Sequence, residues 1–254
     1  MIERVVLIGG GAVAESLGQR LADIGVLISV CCRDENRAAE LSARWGVEYC
    51  NPTDVPQADL YIISVSDRAI EQVSRQLSVA PNSVVAHTAG SRAIEEITTE
   101  GAIRGVVYPL QTFSRGRNVD FREVPLMIEG EQRVDELMEF ARRLSDNVVQ
   151  STFEMRRVLH LAGVFACNFV NRMYVAAQDI ARIGGVDAKM LGPLILETAR
   201  KAAEAESAEL VQSGPAIRND QETIGRHLTM LSEMAPYWTD VYELVTNKIR
   251  NGKL

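Results

Sequence analysis

The chain has 254 residues, enough for one large domain or two modest ones, and at 46% hydrophobic and 24% charged it is composed like an ordinary globular protein. Its formal charge of −7, with no block of clustered Lys and Arg, argues against a nucleic-acid partner. No run approaches the ~18 uninterrupted apolar residues of a membrane span. Met1-Ile2-Glu3-Arg4 also lacks the basic start and apolar core of a secretory signal, so no membrane partner and a cytoplasmic location are expected.

The first predicted strand, Arg4–Ile8, runs into Gly9-Gly10-Gly11-Ala12-Val13-Ala14, and a helical pattern covers Ala12–Ile24. Gly-x-Gly-x-x-Ala between a strand and a helix is the dinucleotide-binding fingerprint. Gly9 permits the tight turn, Gly11 lacks the Cβ that would block a pyrophosphate, and Ala14 lets helix and strand pack closely. The helix opening at Ala12-Val13 aims its first amides and its dipole at the phosphates.

The second strand, Val26–Cys32, decides which dinucleotide is expected. A site for NAD places an Asp or Glu at this strand end to accept from the ribose 2′-hydroxyl. Here Arg33 stands where a 2′-phosphate would lie, with Arg37 one turn further in the helical pattern Glu35–Trp45. A guanidinium grips phosphate as a fork, so NADP(H) is the expected cofactor. Asp34 has two open readings, a contact to the ribose and the N-cap of the helix at Glu35.

Further strands are predicted at Leu60–Val65, Ser83–His87, Gly105–Tyr108, Pro125–Glu129 and Asn147–Gln150, with helices at Arg68–Leu77, Arg92–Thr98 and Gln132–Ser145. Continuous apolar strands alternating with helices imply an α/β fold, a Rossmann-type doubly wound parallel sheet over residues 1–151. Ligands in such sheets lie at the carboxyl ends of the strands. That edge would carry Ser64, Val65 and Ser66 beside the cofactor, Thr88 near the nicotinamide, and Ser91, Gln111 and Thr112 toward a substrate. Ser66 and Ser91 read equally well as helix caps, and His87 ends its strand at the same edge. The four cysteines, Cys31, Cys32, Cys50 and Cys167, form no Cys-x-x-Cys pair and no zinc spacing. They are expected to be small buried hydrophobes, and no metal site is expected.

From residue 152 to 254 no strand pattern survives, and an all-helical domain for substrate binding and dimerisation is expected. One long pattern runs from Phe153 to Ile183, with apolar residues at Val158, Leu161, Phe165, Phe169, Met173, Ala176 and Ile180, and stops at Gly184-Gly185. Helical patterns at Ala188–Leu210, Asp220–Met234 and Pro236–Arg250 follow. So broad an apolar stripe exceeds what a domain of this size buries alone, which points to a homodimer through these helices. At 100° per residue, His160 and Asn171 share a helix face and Asn168 lies about 80° round from it. These three are the candidate catalytic residues, His160 for acid–base work because histidine titrates near pH ~6.5. The competing reading is a histidine satisfied in a core. His227, mid-helix with no motif around it, reads as packing.

Taken together, these segments resemble a superfamily that includes 6-phosphogluconate dehydrogenase, ketopantoate reductase, pyrroline-5-carboxylate reductase and F420-dependent NADP oxidoreductases. More closely, the chain resembles Rossmann-like proteins with a C-terminal DUF2520 domain. The resemblance rests on Gly9–Ala14, His87-Thr88-Ala89-Gly90-Ser91, Tyr108-Pro109-Leu110-Gln111-Thr112-Phe113, His160 through Asn168, and Gly214-Pro215-Ala216-Ile217-Arg218-Asn219-Asp220. It implies an NADP-binding Rossmann domain followed by a helical domain, and no particular substrate. The chain departs from the group at Tyr108, where His is usual, and at Asn219, where Gly is usual. Better-studied relatives carry a catalytic Lys near the start of the long helix, where this chain has Arg156 and Arg157, and no Lys precedes Lys189. Arginine, with a pKa above about 12, does not shuttle protons. Arg156 and Arg218 are therefore expected to bind substrate, with a solvated helix start and a loop as the competing readings. The expected function is an NADP(H)-dependent oxidoreductase moving hydride to or from a small polar carbonyl or imine. The alternative is a non-catalytic sensor of NADP(H).

Overall fold

A computed structural model describes residues 1–117 and 119–252. Two compact units divide the chain, Met1–Phe165 and Ala166–Leu254.

In the first unit the described residues form one eight-stranded sheet of β1 (Val5–Ile8), β2 (Leu27–Cys31), β3 (Glu48–Cys50), β4 (Leu60–Ile63), β5 (Val84–His87), β6 (Ile103–Pro109), β7 (Leu126–Gly130) and β8 (Val148–Gln150), in the order β3-β2-β1-β4-β5-β6-β7-β8. Every residue of β1, β4 and β5 is buried, as central parallel strands covered on both faces require. Alternate residues of β1 face opposite layers. Val5 and Leu7 pack with Leu17 and Leu21 of α1 (Ala12–Asp23), Leu41 of α2 (Glu35–Trp45) and Phe140 of α4 (Val134–Leu144). Val6 and Ile8 pack with Ile70 of α3 (Ile70–Gln76). The strand order reverses between β1 and β4, which is the crevice where doubly wound sheets bind ligands.

Several details differ from the sequence expectations. β3 is a three-residue edge strand with Glu48 and Tyr49 exposed, too short and too polar outside to register as a strand. Strands β6 and β7 pair antiparallel because no crossover helix separates them, so the sheet is mostly rather than wholly parallel. The helix expected over Arg92–Thr98 is a single tight turn at Ile94–Glu96. Side chains take the backbone groups a longer helix would use: Ser74 Oγ accepts from the amides of Thr98 and Thr99, and His87 Nε2 meets the Ala93 carbonyl. Cys31 and Cys50, expected as separate hydrophobes, are joined by a disulfide that ties β2 to β3. Their strands pair in register at these two residues, a proximity that sequence spacing does not reveal.

The long helical run extends from Phe153 to Ile183 but is not uniform. Helix α5 (Phe153–Gly163) passes into a π-helical segment, Val164–Phe169, before α6 (Val170–Ile183). The wider i→i+5 turn breaks the 100° count, so the angles expected from His160 to Asn168 and Asn171 do not carry across it. The division between units falls at 165/166 rather than 151/152, because α5 is anchored to the sheet unit by Arg156. By length and composition alone the whole run is apolar enough to cross a membrane. Arg156, Arg157 and Arg172 had interrupted the sequence count of apolar residues.

The second unit holds α7 (Gly192–Glu204), α8 (Gln221–Met234) and α9 (Thr239–Asn251). Its core is Leu231, Ala235 and Trp238, packed with Ala176, Ile180 and Tyr242, and Arg172 stacks over the Trp238 ring at 4.8 Å. His227 packs there too, its Nδ1 lying 2.8 Å from the Tyr242 hydroxyl.

Candidate active site

The glycine turn is held from below. Gly9 has φ +135°, and a Cβ there would lie 2.0 Å from the Ser64 carbonyl oxygen, so the turn closes directly onto the end of β4. A Cβ at Gly11 would meet nothing within 4 Å. Gly11 is also the N-cap of α1 and supplies no side-chain cap, which leaves the first-turn amides at Ala12 and Val13 uncapped by a side chain. Ala14 is wholly buried, as close helix–strand packing demands. An open side at Gly11 above uncapped helix amides fits a pyrophosphate, so the residues present suit a dinucleotide.

The two arginines expected at the ribose phosphate have separate fates. Arg33 is exposed and makes no ion pair among the described residues. Arg37 is committed to the protein: Nε donates to the Gly10 carbonyl at 3.2 Å, Nη1 to Glu40 at 2.8 Å and Nη2 to Glu15 at 2.6 Å. It shapes the turn and is not free to hold a phosphate, which corrects the sequence expectation. Glu15 sits in the first turn of α1 and also accepts from Arg44. Burial alone would raise its pKa, but the two guanidinium groups hold it below the usual carboxylate range. Asp34 caps α2 by accepting from the amides of Asn36 and Arg37.

From the turn a line of contacts follows the carboxyl edge. Ser64, beneath Gly9, accepts from Thr88 Oγ1 at 3.2 Å. Val65 is half-buried, and Ser66 is exposed and makes no side-chain cap at Asp67. Beyond Thr88 the backbone at Gly90 lies against the ring of Tyr108 at the end of β6, where a Cβ would be 2.6 Å from Tyr108 Cζ. The Tyr108 hydroxyl lies 3.2 Å from His160 Nδ1. Ser91 donates to Asp67 at 2.5 Å. Gln111 is exposed, its Oε1 accepting from the amide of Thr112.

Arg156 overturns its expectation. It is fully buried, paired with Glu129, donating to the Arg92 carbonyl at 2.8 Å and stacked near Phe153. A guanidinium so enclosed anchors α5 and is closed to a substrate carboxylate. His87 is buried between the Ala89 amide, which donates to Nδ1, and the Ala93 carbonyl. Burial pushes its pKa down to about 4, so it is a neutral structural group.

Asn168 and Asn171 are exposed on the π-segment and α6, and Arg218 is exposed in the loop before α8, where Asp220 caps that helix by accepting from Thr223 N. The sequence placed Asp67 and Gly90 in loops at the carboxyl edge without giving either a role, and gave Tyr108 no place in the site. Their signal was present only as a departure, a Tyr where the resembling group has His, and as the Gly90 that follows Ala89.

The family described as NADP oxidoreductase, coenzyme F420-dependent, matches residues 4–90, and a domain of unknown function, DUF2520, matches residues 124–249. The crystal structure of a putative NADP oxidoreductase from Bacteroides fragilis is similar at 37% identity over 99% of both chains, with a TM-score of 0.90. An imine reductase from Myxococcus stipitatus in complex with NADP+ shares the fold at 14% identity and TM-score 0.65, over 98% of this chain and 93% of its own. A reductive aminase from Aspergillus terreus in complex with NADPH and ethyl levulinate does so at 15% and 0.65, over 99% and 95%. No curated protein matches the sequence. The chain belongs to the family of NADP oxidoreductase-type Rossmann proteins that carry a C-terminal DUF2520 domain.

Proposed function

We propose that this protein is an NADP(H)-dependent oxidoreductase transferring hydride to or from a small polar carbonyl or imine compound. The observation that carries the reading is the line that runs from the open glycine turn to Ser64 and Thr88, along the chain to Gly90, and from Gly90 to Tyr108 and His160. A nicotinamide cofactor supplies the hydride when bound. The protein's part is to hold phosphate at the amides of Ala12 and Val13, hold the 2′-phosphate at Arg33, and provide a proton-bearing group at the other end of the edge. His160 is that group. Asn168 and Asn171 remain candidate catalytic residues on the long helix, whose π-segment is of a kind frequent at functional sites. Ser91, Gln111 and Arg218 are the remaining exposed candidates for substrate contact. The names of the fold relatives, an imine reductase and a reductive aminase, favour carbon–nitrogen double bonds among the substrates.

The protein works in the cytoplasm as a homodimer through its helices. Support comes from the large apolar residues that α5 and α7 leave exposed, Val158, Leu161, Leu194 and Leu196 among them. Covering them with a second copy accounts for an apolar helix interrupted by arginines better than a lipid environment does. Sedimentation that yields only monomer, or recovery only with membranes, overturns this part.

Fluorescence titration with NADPH and NADH, followed by absorbance assays on keto acids and cyclic imines, tests the main reading. Arg33→Ala should weaken NADPH about tenfold or more and leave NADH unchanged, and equal losses defeat the phosphate assignment. His160→Ala should lower turnover without weakening NADPH. Tight NADPH binding with no turnover of any substrate points to a sensor, the role to which the lack of any Lys before Lys189 gives weight.

A further inference from the structure

A neutral imidazole carries its proton on one ring nitrogen, and the bond made by the other nitrogen decides which. Around His160 that bond is unusually well fixed. The Tyr108 ring is buried among Ile94, Val106 and Met127, with Leu110 beside it, and Gly90 lies flat against it. It meets the His160 ring edge-on at 6.2 Å between centroids. One turn earlier on α5, the enclosed Arg156 fastens the helix to Glu129 and to the Arg92 carbonyl. The hydroxyl is thus delivered to one point, and the imidazole is carried to the same point. His160 is otherwise exposed, and Nδ1 is the ring nitrogen engaged. Burial and the charge of Asp67 raise the Tyr108 pKa, with Arg156 acting the other way, so the phenol keeps its hydrogen at neutral pH and donates it to an unprotonated ring.

We propose that Tyr108 is the positioning residue of this site: its hydroxyl occupies Nδ1 of His160 and keeps the imidazole hydrogen on Nε2, the nitrogen left for the substrate. The same hydroxyl oxygen accepts from Nδ1 once the ring is protonated, so the ring keeps its orientation. The imidazolium then gives its Nε2 proton to the substrate, is left neutral with Nδ1–H donating to the Tyr108 oxygen, and regains the Nε2–H form through exchange with solvent. The site therefore favours substrates that present a lone pair at the reacting double bond, a carbonyl oxygen or a neutral imine nitrogen. A phenol suits this role, because it neither competes for the proton nor titrates near neutrality.

The inference rests on His160 as the proton-bearing group, but its test does not need turnover. The chain has three histidines, so long-range proton–nitrogen NMR spectra of the full-length protein, recorded above the imidazole titration, resolve His160 by substitution of each. The wild type should show mainly the Nε2–H form, and Tyr108→Phe should lower the ratio of Nε2–H to Nδ1–H about fivefold, the factor one ordinary hydrogen bond sustains. A wild-type spectrum dominated by Nδ1–H overturns the proposal without any variant, and an unchanged ratio in Tyr108→Phe does so as well. In assays the same variant should lose kcat about tenfold or more while its KM for NADPH stays unchanged. If the oxidoreductase reading itself is wrong, no substrate consumes NADPH in the wild type while the tautomer spectra still decide the role of Tyr108.

Discussion

In the sheet unit Leu7, Leu17, Leu60 and Ile62 are wholly buried, while in the helical unit Leu194, Leu196 and Leu210 stand 63%, 66% and 73% exposed. Residues of the same kind thus meet opposite environments within one chain. The sheet itself is closed, because strands covered by helices on both faces bury their apolar side chains, and the large apolar residues that this unit exposes lie mostly on α5, Val158 and Leu161 among them. In the helical unit no residue of α6 or α7 is fully buried. Single substitutions in the sheet core should therefore act on folding, and those on the exposed faces of α5 and α7 on association.

The largest effect is expected at Arg156. Arg156→Ala leaves the Glu129 carboxylate without its cation and should cost about 3–5 kcal/mol of folding stability, read from urea unfolding; a loss under about 1 kcal/mol would mean that α5 is not anchored there. Next comes acid. The pKa of His87 is about 4 in the folded protein, against about 6.5 unfolded. The unfolded chain binds more protons between these values, so stability is full at neutral pH and declines as pH falls from about 6.5 toward 4. The loss over the whole window is about 3 kcal/mol. Unfolding midpoints measured along this range should slope in the wild type and flatten in His87→Gln. The smallest effect on folding belongs to the helical unit: Leu196→Ser should change it by no more than about 0.5 kcal/mol in dilute protein while weakening self-association in sedimentation. A core-sized loss there would erase the contrast between the units.

What could be read beforehand was local. The Gly9–Ala14 turn and the N-cap reading of Asp34, one of its two open readings, are each specified within a few residues, and the structure has both. Pairings across long separations stayed hidden. Arg156 meets Glu129 27 residues away, Tyr108 meets His160 52 residues away, and Cys31 meets Cys50 only because β2 and β3 align. The π-segment was invisible for a different reason, since a search for 3.6-residue periodicity assumes the geometry that the segment breaks.

The bracing of the glycine turn has a consequence for how a ligand is received. Gly10 is pinned through its carbonyl by Arg37, which two carboxylates hold in turn. The bend is thereby pre-organised before any dinucleotide arrives, and little ordering entropy remains to be lost on contact. In the function proposed above, the preference between the two dinucleotides is assigned instead to Arg33, which is exposed and makes no ion pair among the described residues. Selectivity of that kind can drift by changes at one position while the scaffold that grips the diphosphate stays intact.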